Sequence, residues 1–293
     1  MSEEGWTTVK GRSFSGRRRR RRGNRPEGKR NVNSAVNGQA RDGERLDKGR
    51  VSRGLERVQR RMRLFDANKP FAFVVRQICD LLEDTNIEKI ISFGLGSIGG
   101  LSANPAVQLA LLVKIAQIWE PKLSAFDPVF TRNDTEILKQ LGVARLEDNS
   151  EGKHRVGSEK CGGDDYDSFT LFYMPHCDMW LYSNLLWANW SARSLRRIVI
   201  IGNSFEGYAQ GLRRNKDPEN CVRIIHPYAE ETKLRVALRG PEKREHRGDA
   251  SAVEGAFSDT SIITFSDAAL ERAEAAGVFK ARPAEKLAGL KAC

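Results

Sequence analysis

Residues 169–204 have the sequence FTLFYMPHCDMWLYSNLLWANWSARSLRRIVIIGNS. Two apolar runs, 169–174 and 197–201, flank a tryptophan-rich helical stretch at 178–190, and each run ends in a polar tip. A strand, a helix and a second strand in this spacing predict a βαβ unit with parallel neighbouring strands. The two tips would then lie together at the carboxyl edge of the sheet, where open α/β sheets bind their ligands.

Strand and helix patterns alternate through much of the rest of the chain. Short strands are predicted at 88–93, 123–126, 143–146, 222–225 and 261–265. We expect the last strand to be antiparallel to the others, and the highly charged segment 238–254 to be a mobile loop. The pattern predicts an α/β fold, a Rossmann-like three-layer sandwich around a mostly parallel sheet.

Composition divides the chain into four parts. Residues 1–50 are rich in Arg, Gly, Asn and Ser and contain few apolar side chains. Such a segment buries too little surface to offset its ordering entropy, so we predict a disordered tail. Residues 51–87 are predicted to be a helical lead-in, residues 88–280 the Rossmann-like domain, and residues 281–293 a frayed end.

The positive charge of the chain lies near its start. The first 63 residues hold 20 Lys/Arg and 7 Asp/Glu, a net charge of +13, whereas residues 64–293 carry −2. The core is therefore not expected to bind nucleic acid by charge. Within the tail, a run of six arginines is typical of a nuclear-import signal, of an RNA-binding arm or of a solubilising tail: Arg17, Arg18, Arg19, Arg20, Arg21 and Arg22.

Cysteine usage and hydropathy predict the compartment. The five cysteines are scattered along the chain and odd in number, which favours reduced thiols in the cytosol or nucleus over a disulfide framework. No apolar run approaches the ~20 residues that a membrane-spanning helix needs. The start of the chain has no apolar signal core either. We therefore expect a cytoplasmic protein, with the nucleus as a second location and no membrane partner.

A glycine-rich turn follows the first predicted strand. Gly94, Gly96 and Gly99 match the spacing G-x-G-x-x-G between a strand and a helix, and Ser97 lies within the turn. Such a turn either presents backbone amides to a phosphate or nucleotide sugar or serves as a purely structural tight turn. Asp127 ends the second predicted strand, where an acidic residue either bonds a ribose hydroxyl or opens a turn before a proline.

The two tips of the βαβ unit carry the remaining candidate residues. His176 and Cys177 are candidate ligands of a metal or of haem iron. Their side chains diverge because they are adjacent, so the alternative is a histidine hydrogen-bonded at a strand end. Asn203 and Ser204 form the second tip. No C-x-x-C or H-x-x-x-H spacing occurs in the chain, so a structural zinc site is not predicted.

Six segments, FGLGSI, FDPVFT, YMPHC, NLLWANW, IGNSF and DTSIITF, resemble in this order the conserved domain of the Sensitivity to Red Light Reduced family. The resemblance runs from about residue 90 to residue 265, and YMPHC and IGNSF are its most specific parts. It implies a role in circadian-clock and light signalling in plants, and in the control of haem biosynthesis and clock-gene expression in animals. It brings no established catalytic activity, so we do not expect an enzyme and assign no catalytic residue.

The leading hypothesis is a regulatory protein that binds a small ligand at the carboxyl edge of the sheet. Its ligand-binding candidates are Gly94, Gly96, Ser97, Asp127, His176, Cys177, Asn203 and Ser204. The resemblance suggests haem as the ligand, with His176 or Cys177 as the axial group. The first alternative is a methyltransferase-like enzyme, or a degenerate relative, that binds S-adenosylmethionine. The second is an interaction module whose arginine tail binds RNA or an import receptor.

Overall fold

The middle of the fold is a seven-stranded sheet. In the computed structural model, residues 45–67, 69–100, 102–157, 168–210, 220–236, 238, 240–281 and 283 are described. The strands are β1 (Asn86–Phe93), β2 (Lys122–Phe126), β3 (Ala144–Arg145), β4 (Ser168–Met174), β5 (Ile198–Asn203), β6 (Glu230–Lys233) and β7 (Thr260–Thr264). Their order across the sheet is β3-β2-β1-β4-β5-β7-β6.

Strands β1 to β5 are parallel, and β7 runs antiparallel to both β5 and β6. The register aligns the carboxyl ends of the central strands: Phe93 lies beside Phe126, and Met174 lies beside Gly202. The strand order reverses between β1 and β4, which makes this pair the topological switch point of the sheet. The predicted α/β class, the mostly parallel sheet and the antiparallel last strand are confirmed.

Helices cover both faces of the sheet. They are α1 (Lys48–Met62), α2 (Ala72–Leu81), α3 (Asn104–Trp119), α4 (Arg132–Gln140), α5 (Met179–Ala188), α6 (Ala192–Leu195), α7 (Phe205–Ala209), α8 (Cys221–Ile225), α9 (Gly240–Glu245), α10 (Arg247–Ala256) and α11 (Asp267–Ala275). Helices α1 to α4 and α10 share one hydrophobic cluster with the sheet, and α5 to α8 and α11 share the other.

Side chains of the central strands alternate between these two clusters. In β4, Leu171 and Tyr173 belong to the cluster on the α3 face, whereas Phe172 and Met174 belong to the cluster on the α5 face. Because both faces are buried, the strands are continuous apolar runs, as expected of a parallel sheet between two helical layers. This double burial holds the strand ends in fixed positions at the carboxyl edge.

The predicted lead-in packs directly on the sheet domain. Val51 and Val58 of α1 and Val74 and Ile78 of α2 are buried in the same cluster as α3. Residues 48–50, which fall within the predicted tail, form the first turn of α1, capped by the side chain of Asp47. Residues 1–44, which hold the rest of the predicted tail and its arginine run, and residues 284–293 lie outside the described part of the chain.

Two predictions made from local pattern were wrong. Residues 222–225, predicted as a strand, lie in α8, because the Asn220 side chain caps this segment and Val222 and Ile225 are buried against the α5 layer. The segment 238–254, predicted as a mobile loop, contains α9 and most of α10. Many of its side chains are charged, so the sequence pattern does not show the narrow apolar stripe of Ala250 and Val253, which is buried on the α3 face.

Helices α9 and α10 form the connection from β6 to β7. Since β6 runs parallel to β5, this connection leaves and re-enters the sheet at the carboxyl edge. Gln108 of α3 donates a hydrogen bond of 3.1 Å to the carbonyl of Ala256, which ties the end of α10 to the sheet domain. Among the described residues, no helix combines the length and the apolar character that crossing a membrane requires.

Candidate functional site

The carboxyl edge brings together the predicted site residues from four strands. Gly94 and Gly96 follow β1, Asp127 follows β2, His176 follows β4, and Asn203 ends β5. Because β1 and β4 are neighbours at the switch point, the glycine turn and the β4 tip face one another.

Asp127 anchors the glycine turn. Its Oδ2 accepts a hydrogen bond of 2.7 Å from the amide of Gly96, and its Oδ1 accepts one of 3.0 Å from the amide of Val129. Gly94 and Gly96 have φ values of 74° and 76°, which glycine adopts without steric cost. Burial raises the pKa of Asp127, partly opposed by its two amide partners, and the charge of Asp134 raises it further.

A second carboxylate, Asp134, occupies the other amides of the turn. Its Oδ1 accepts from the amides of Ile98 and Gly99, at 2.9 and 3.0 Å. Its Oδ2 accepts from the hydroxyl of Ser97 at 3.1 Å, and from the amide and hydroxyl of Thr131, both at 2.9 Å. The glycine turn therefore binds an anion of its own chain, in the manner in which such amides bind a phosphate.

Asp134 was not among the predicted site residues. The sequence signal for it was the spacing Thr131-x-x-Asp134, which forms a capping box at the start of α4. That signal predicts a helix start and carries no indication that the same carboxylate reaches residues 97–99, more than 30 positions earlier. Ser97, a predicted ligand-binding residue, uses its hydroxyl in this cluster.

Cys177 fills the crevice between β1 and β4. Its Sγ donates a hydrogen bond of 3.3 Å to the carbonyl of Phe93, and a Cβ at Gly94 would lie only 2.6 Å from that sulfur. The side chain is buried, and burial raises its pKa far above the ordinary range of a thiol, with smaller contributions from Asp127 and Asp178. The thiolate that would ligate a metal or act as a nucleophile is therefore disfavoured.

In the native protein, Cys177 is expected to react with iodoacetamide at least about tenfold more slowly than the half-buried Cys79. The reasons are its burial and its low thiolate fraction. Mass spectrometry of the labelled peptides over time measures both rates in one sample. In urea the two rates should converge, and equal rates in the native protein would contradict the buried thiol.

His176 stands at the exposed tip of β4 in a left-handed conformation, with φ 61°. Its backbone amide donates to Oδ1 of Asn203 at 2.8 Å. Its ring Nε2 lies 2.9 Å from the carbonyl of Ala256 at the end of α10. A carbonyl only accepts, so this nitrogen carries the hydrogen and Nδ1 is the nitrogen that remains for a ligand.

Asn203 links the two tips of the βαβ unit. Its Oδ1 accepts from His176, and its Nδ2 donates to the carbonyl of Cys177 at 2.8 Å and to the hydroxyl of Tyr208 at 3.0 Å. The backbone amide of Asn203 donates at 2.8 Å to the hydroxyl of Tyr182, and this hydroxyl donates to the carbonyl of Met174. The neighbouring Ser204 caps α7, because its Oγ accepts from the amide of Gly207 at 3.0 Å.

The predicted pair of iron ligands diverges. The ring of His176 is exposed, whereas the thiol of Cys177 points into the β1–β4 crevice. Two such side chains do not fit a single iron as a pair, and only His176 fits as a lone axial group. Within the described ranges, no group of three or more His, Cys, Asp or Glu side chains is arranged to hold a metal ion.

A surface groove of about 400 Å³ lies elsewhere, between α6 and α11. Helix α11 follows the end of the antiparallel strand β7, which places the groove toward the opposite edge of the sheet. An ion pair of 2.8 Å between Arg196 and Asp267 crosses it. None of the predicted site residues lines this groove.

Comparison with known proteins identifies relatives of the chain. The family model described as the SRR1 domain matches residues 59–264. The mouse (Mus musculus) protein called SRR1-like protein is 36% identical over 155 residues, which are 52% of this chain and 56% of the relative. The Arabidopsis thaliana protein SENSITIVITY TO RED LIGHT REDUCED 1 is 34% identical over 125 residues, 42% of each chain. The chain thus spans about half the length of these relatives.

Two solved structures show a distant likeness. One is a mutant of MtNAS in complex with S-adenosylmethionine, with 11% identity and a TM-score of 0.35 over 74% of this chain and 72% of the other. The second is described as an O-methyltransferase from Klebsiella pneumoniae, with 12% identity and a TM-score of 0.35 over 75% of this chain and 91% of the other. Likenesses at this level carry no argument about function.

Proposed function

Because the chain belongs to the SRR1 domain family, we propose that it is a regulatory protein of light and circadian-clock signalling that binds a nucleoside-containing ligand at its carboxyl edge. The name of the Arabidopsis relative, SENSITIVITY TO RED LIGHT REDUCED 1, supports the light-signalling part. The resemblance of the motifs extends the proposal to clock-gene expression and the control of haem biosynthesis. Reduced cysteines and the arginine run favour the cytoplasm and the nucleus as its compartments.

The contact between Asp127 and Gly96 carries the ligand proposal. A carboxylate at the end of β2, held against the turn that follows β1, lies where dinucleotide-binding sheets bond ribose hydroxyls. Each carboxylate oxygen has capacity for a second donor beyond its one amide partner. Val129, two residues further on and 55% exposed, offers apolar surface beside it.

We propose binding without a catalytic step. A group that reacts with a substrate needs a free hydrogen-bonding or nucleophilic atom. Cys177 is a buried thiol bonded to Phe93, and Asn203 uses its side-chain oxygen and nitrogen to hold the tips together. The acceptor atoms that remain, on Asp127 and at Nδ1 of His176, are assigned to holding a ligand. S-adenosylmethionine is the first probe, because the glycine turn, the acid after β2 and the polar tip resemble a methyltransferase site. When S-adenosylmethionine binds, the carboxylate of Asp127 would accept hydrogen bonds from its ribose hydroxyls.

Calorimetry of the full chain with S-adenosylmethionine tests this proposal. Asp127→Ala is expected to weaken binding by tenfold or more, because the carboxylate contact to the ribose is lost. Asp80→Ala, which removes an exposed carboxylate on α2, serves as the matched control and should leave binding unchanged. Affinity should fall as pH is lowered through the raised pKa of Asp127, since only the ionised carboxyl accepts both hydroxyls.

Three results would count against the nucleoside ligand. The first is no detectable heat with S-adenosylmethionine, adenosine or a nicotinamide dinucleotide. The second is equal affinity in the parent and Asp127→Ala, provided both unfold at the same denaturant concentration. The third is an affinity that stays constant as the pH is lowered from neutral through the raised pKa of Asp127.

Haem is the second candidate ligand, favoured by the exposed ring of His176. In an absorbance titration of the full chain with haem, His176→Ala should remove the spectral shift if this ring is the axial group. Cys177→Ala should leave the shift in place, because its sulfur faces the crevice. Identical spectra for the parent and His176→Ala would remove haem ligation at this tip.

A further inference from the structure

Helix α1 carries a basic face that the ligand site does not use. At 100° per residue, Arg50, Arg53, Arg57, Arg60 and Arg61 fall within an arc of about 100°. The neighbouring arc is apolar, and its residues Val51, Gly54 and Val58 are buried. The helix is therefore fixed to the domain by one face and presents arginines on another.

The domain holds this basic face in place beside the carboxyl edge. Arg57 Nη1 donates to the carbonyl of Gly100 at 2.8 Å and to that of Ile98 at 3.4 Å, at the end of the glycine turn. Arg61 bonds to Asp249 of α10. Arg57 and Arg61 are half-buried. Arg53, one turn before Arg57, and Arg60, next to Arg61, are exposed. The exposed guanidinium groups thus stand on a rigid support.

The charge of α1 and the residues that flank it is large compared with that of the remaining domain. Residues 45–63 contain eight Lys/Arg and two Asp/Glu, a net charge of +6, whereas residues 64–293 carry −2. Seven of the eight cations are arginine. The positive charge of the tail therefore continues into the folded part of the chain, which changes the expectation that the core has no basic face.

We propose that this face of α1 binds the phosphate backbone of single-stranded RNA. Arginine forms paired hydrogen bonds with phosphate oxygens, and all five cations of this face are arginines. Arg53 and Arg60 are two helical turns apart, about 10 Å along the axis, so one strand meets both.

A membrane surface fits this helix less well. Amphipathic helices that lie on membranes bury an apolar face among the acyl chains. In α1 that face is already covered, since Val51 is 5% exposed and Val58 is fully buried in the core. An acidic protein segment is the other polyanion to consider, and the experiment distinguishes it.

The test measures the affinity of the full chain for a fluorescent oligouridylate across salt concentrations. The slope of log K against log salt reports about 0.7 per phosphate contact on a single strand. Arg53→Gln/Arg60→Gln is expected to reduce the magnitude of that slope by about 1.4, with a several-fold loss of affinity at low salt. Arg155→Gln/Arg272→Gln, two exposed arginines associated with the α5 face, should leave slope and affinity unchanged.

A second background separates α1 from the tail. Changing all six residues from Arg17 to Arg22 to Gln removes the arginine run, and Arg53→Gln/Arg60→Gln should lower the slope again in that background. The proposal is overturned if the α1 change has no effect in either background. It is also overturned if the α1 change weakens binding to polyglutamate or to phosphatidylserine vesicles while RNA binding stays intact. Both pairs of substitutions lie on the surface, and the urea midpoint verifies that each variant is folded.

Discussion

Replacing Asp134 with alanine is expected to lower the free energy of unfolding by about 3–5 kcal/mol. The carboxylate is fully buried and accepts hydrogen bonds from five donors on the glycine turn and at the start of α4. Its removal leaves the amides of Ile98 and Gly99 without their acceptor and breaks the capping box with Thr131. Urea unfolding followed by circular dichroism measures the loss.

Lys139→Ala is the matched control for this prediction, because Lys139 is an exposed residue of the same helix, α4. A surface change of this kind should stay within about 0.5 kcal/mol of the parent. A loss below about 1 kcal/mol for Asp134→Ala would mean that water or another group satisfies the turn as well as the carboxylate does. Asp134→Asn should fall between the two, since its amide nitrogen cannot accept from the donors that Oδ2 serves.

Replacing Asn203 with alanine is expected to cost about 2–4 kcal/mol of unfolding free energy. The Asn203 side chain is fully buried, and its three hydrogen bonds hold the amide of His176, the carbonyl of Cys177 and the hydroxyl of Tyr208. Alanine removes both polar atoms and leaves a cavity at the junction of β4 and β5. The tip should also exchange its amide hydrogens faster, which hydrogen-exchange mass spectrometry detects.

A double-mutant cycle with Tyr208→Phe tests whether these hydrogen bonds act as one network. Tyr208 bonds both Asn203 and the carbonyl of Cys177, so the two losses should not add, and a coupling of about 0.5 kcal/mol or more is expected. Asn86→Ala, at the exposed start of β1, provides the control for a change of the same type. Additive losses for Asn203 and Tyr208 would contradict the network.

The sheet could be predicted because its strands carry strong local signals. Apolar runs that end in glycine or polar residues mark the ends of β1, β2, β4 and β5, and these ends define the carboxyl edge. The segment 222–225 was wrongly predicted as a strand because a short apolar run fits a strand and a short buried helix equally well. In α10 the buried stripe is made of small residues, so the charged residues around it dominated the pattern.

The carboxyl edge of the sheet could be located from the sequence, whereas most contacts of its side chains could not. Strand ends indicated Asp127, His176 and Asn203, because position along a strand is a local property. Asp134 and Tyr182 were missed because their partners are distant in sequence: Asp134 reaches the turn after β1, and Tyr182 bridges β4 and β5. The spacing of apolar residues along the chain does not predict such contacts, because they form only when the helices pack on the sheet.

The hydrogen bond from His176 to Ala256 affects how strongly any ligand can use this tip. A ligand that accepts a hydrogen bond from Nε2 must displace the carbonyl of Ala256 at the end of α10. One hydrogen bond is then exchanged for another, so the net gain in affinity is small. A ligand that engages Nδ1 avoids this exchange. Selectivity at the tip is therefore a competition between the two nitrogens of one ring, and α10 favours compounds that approach from the Nδ1 side.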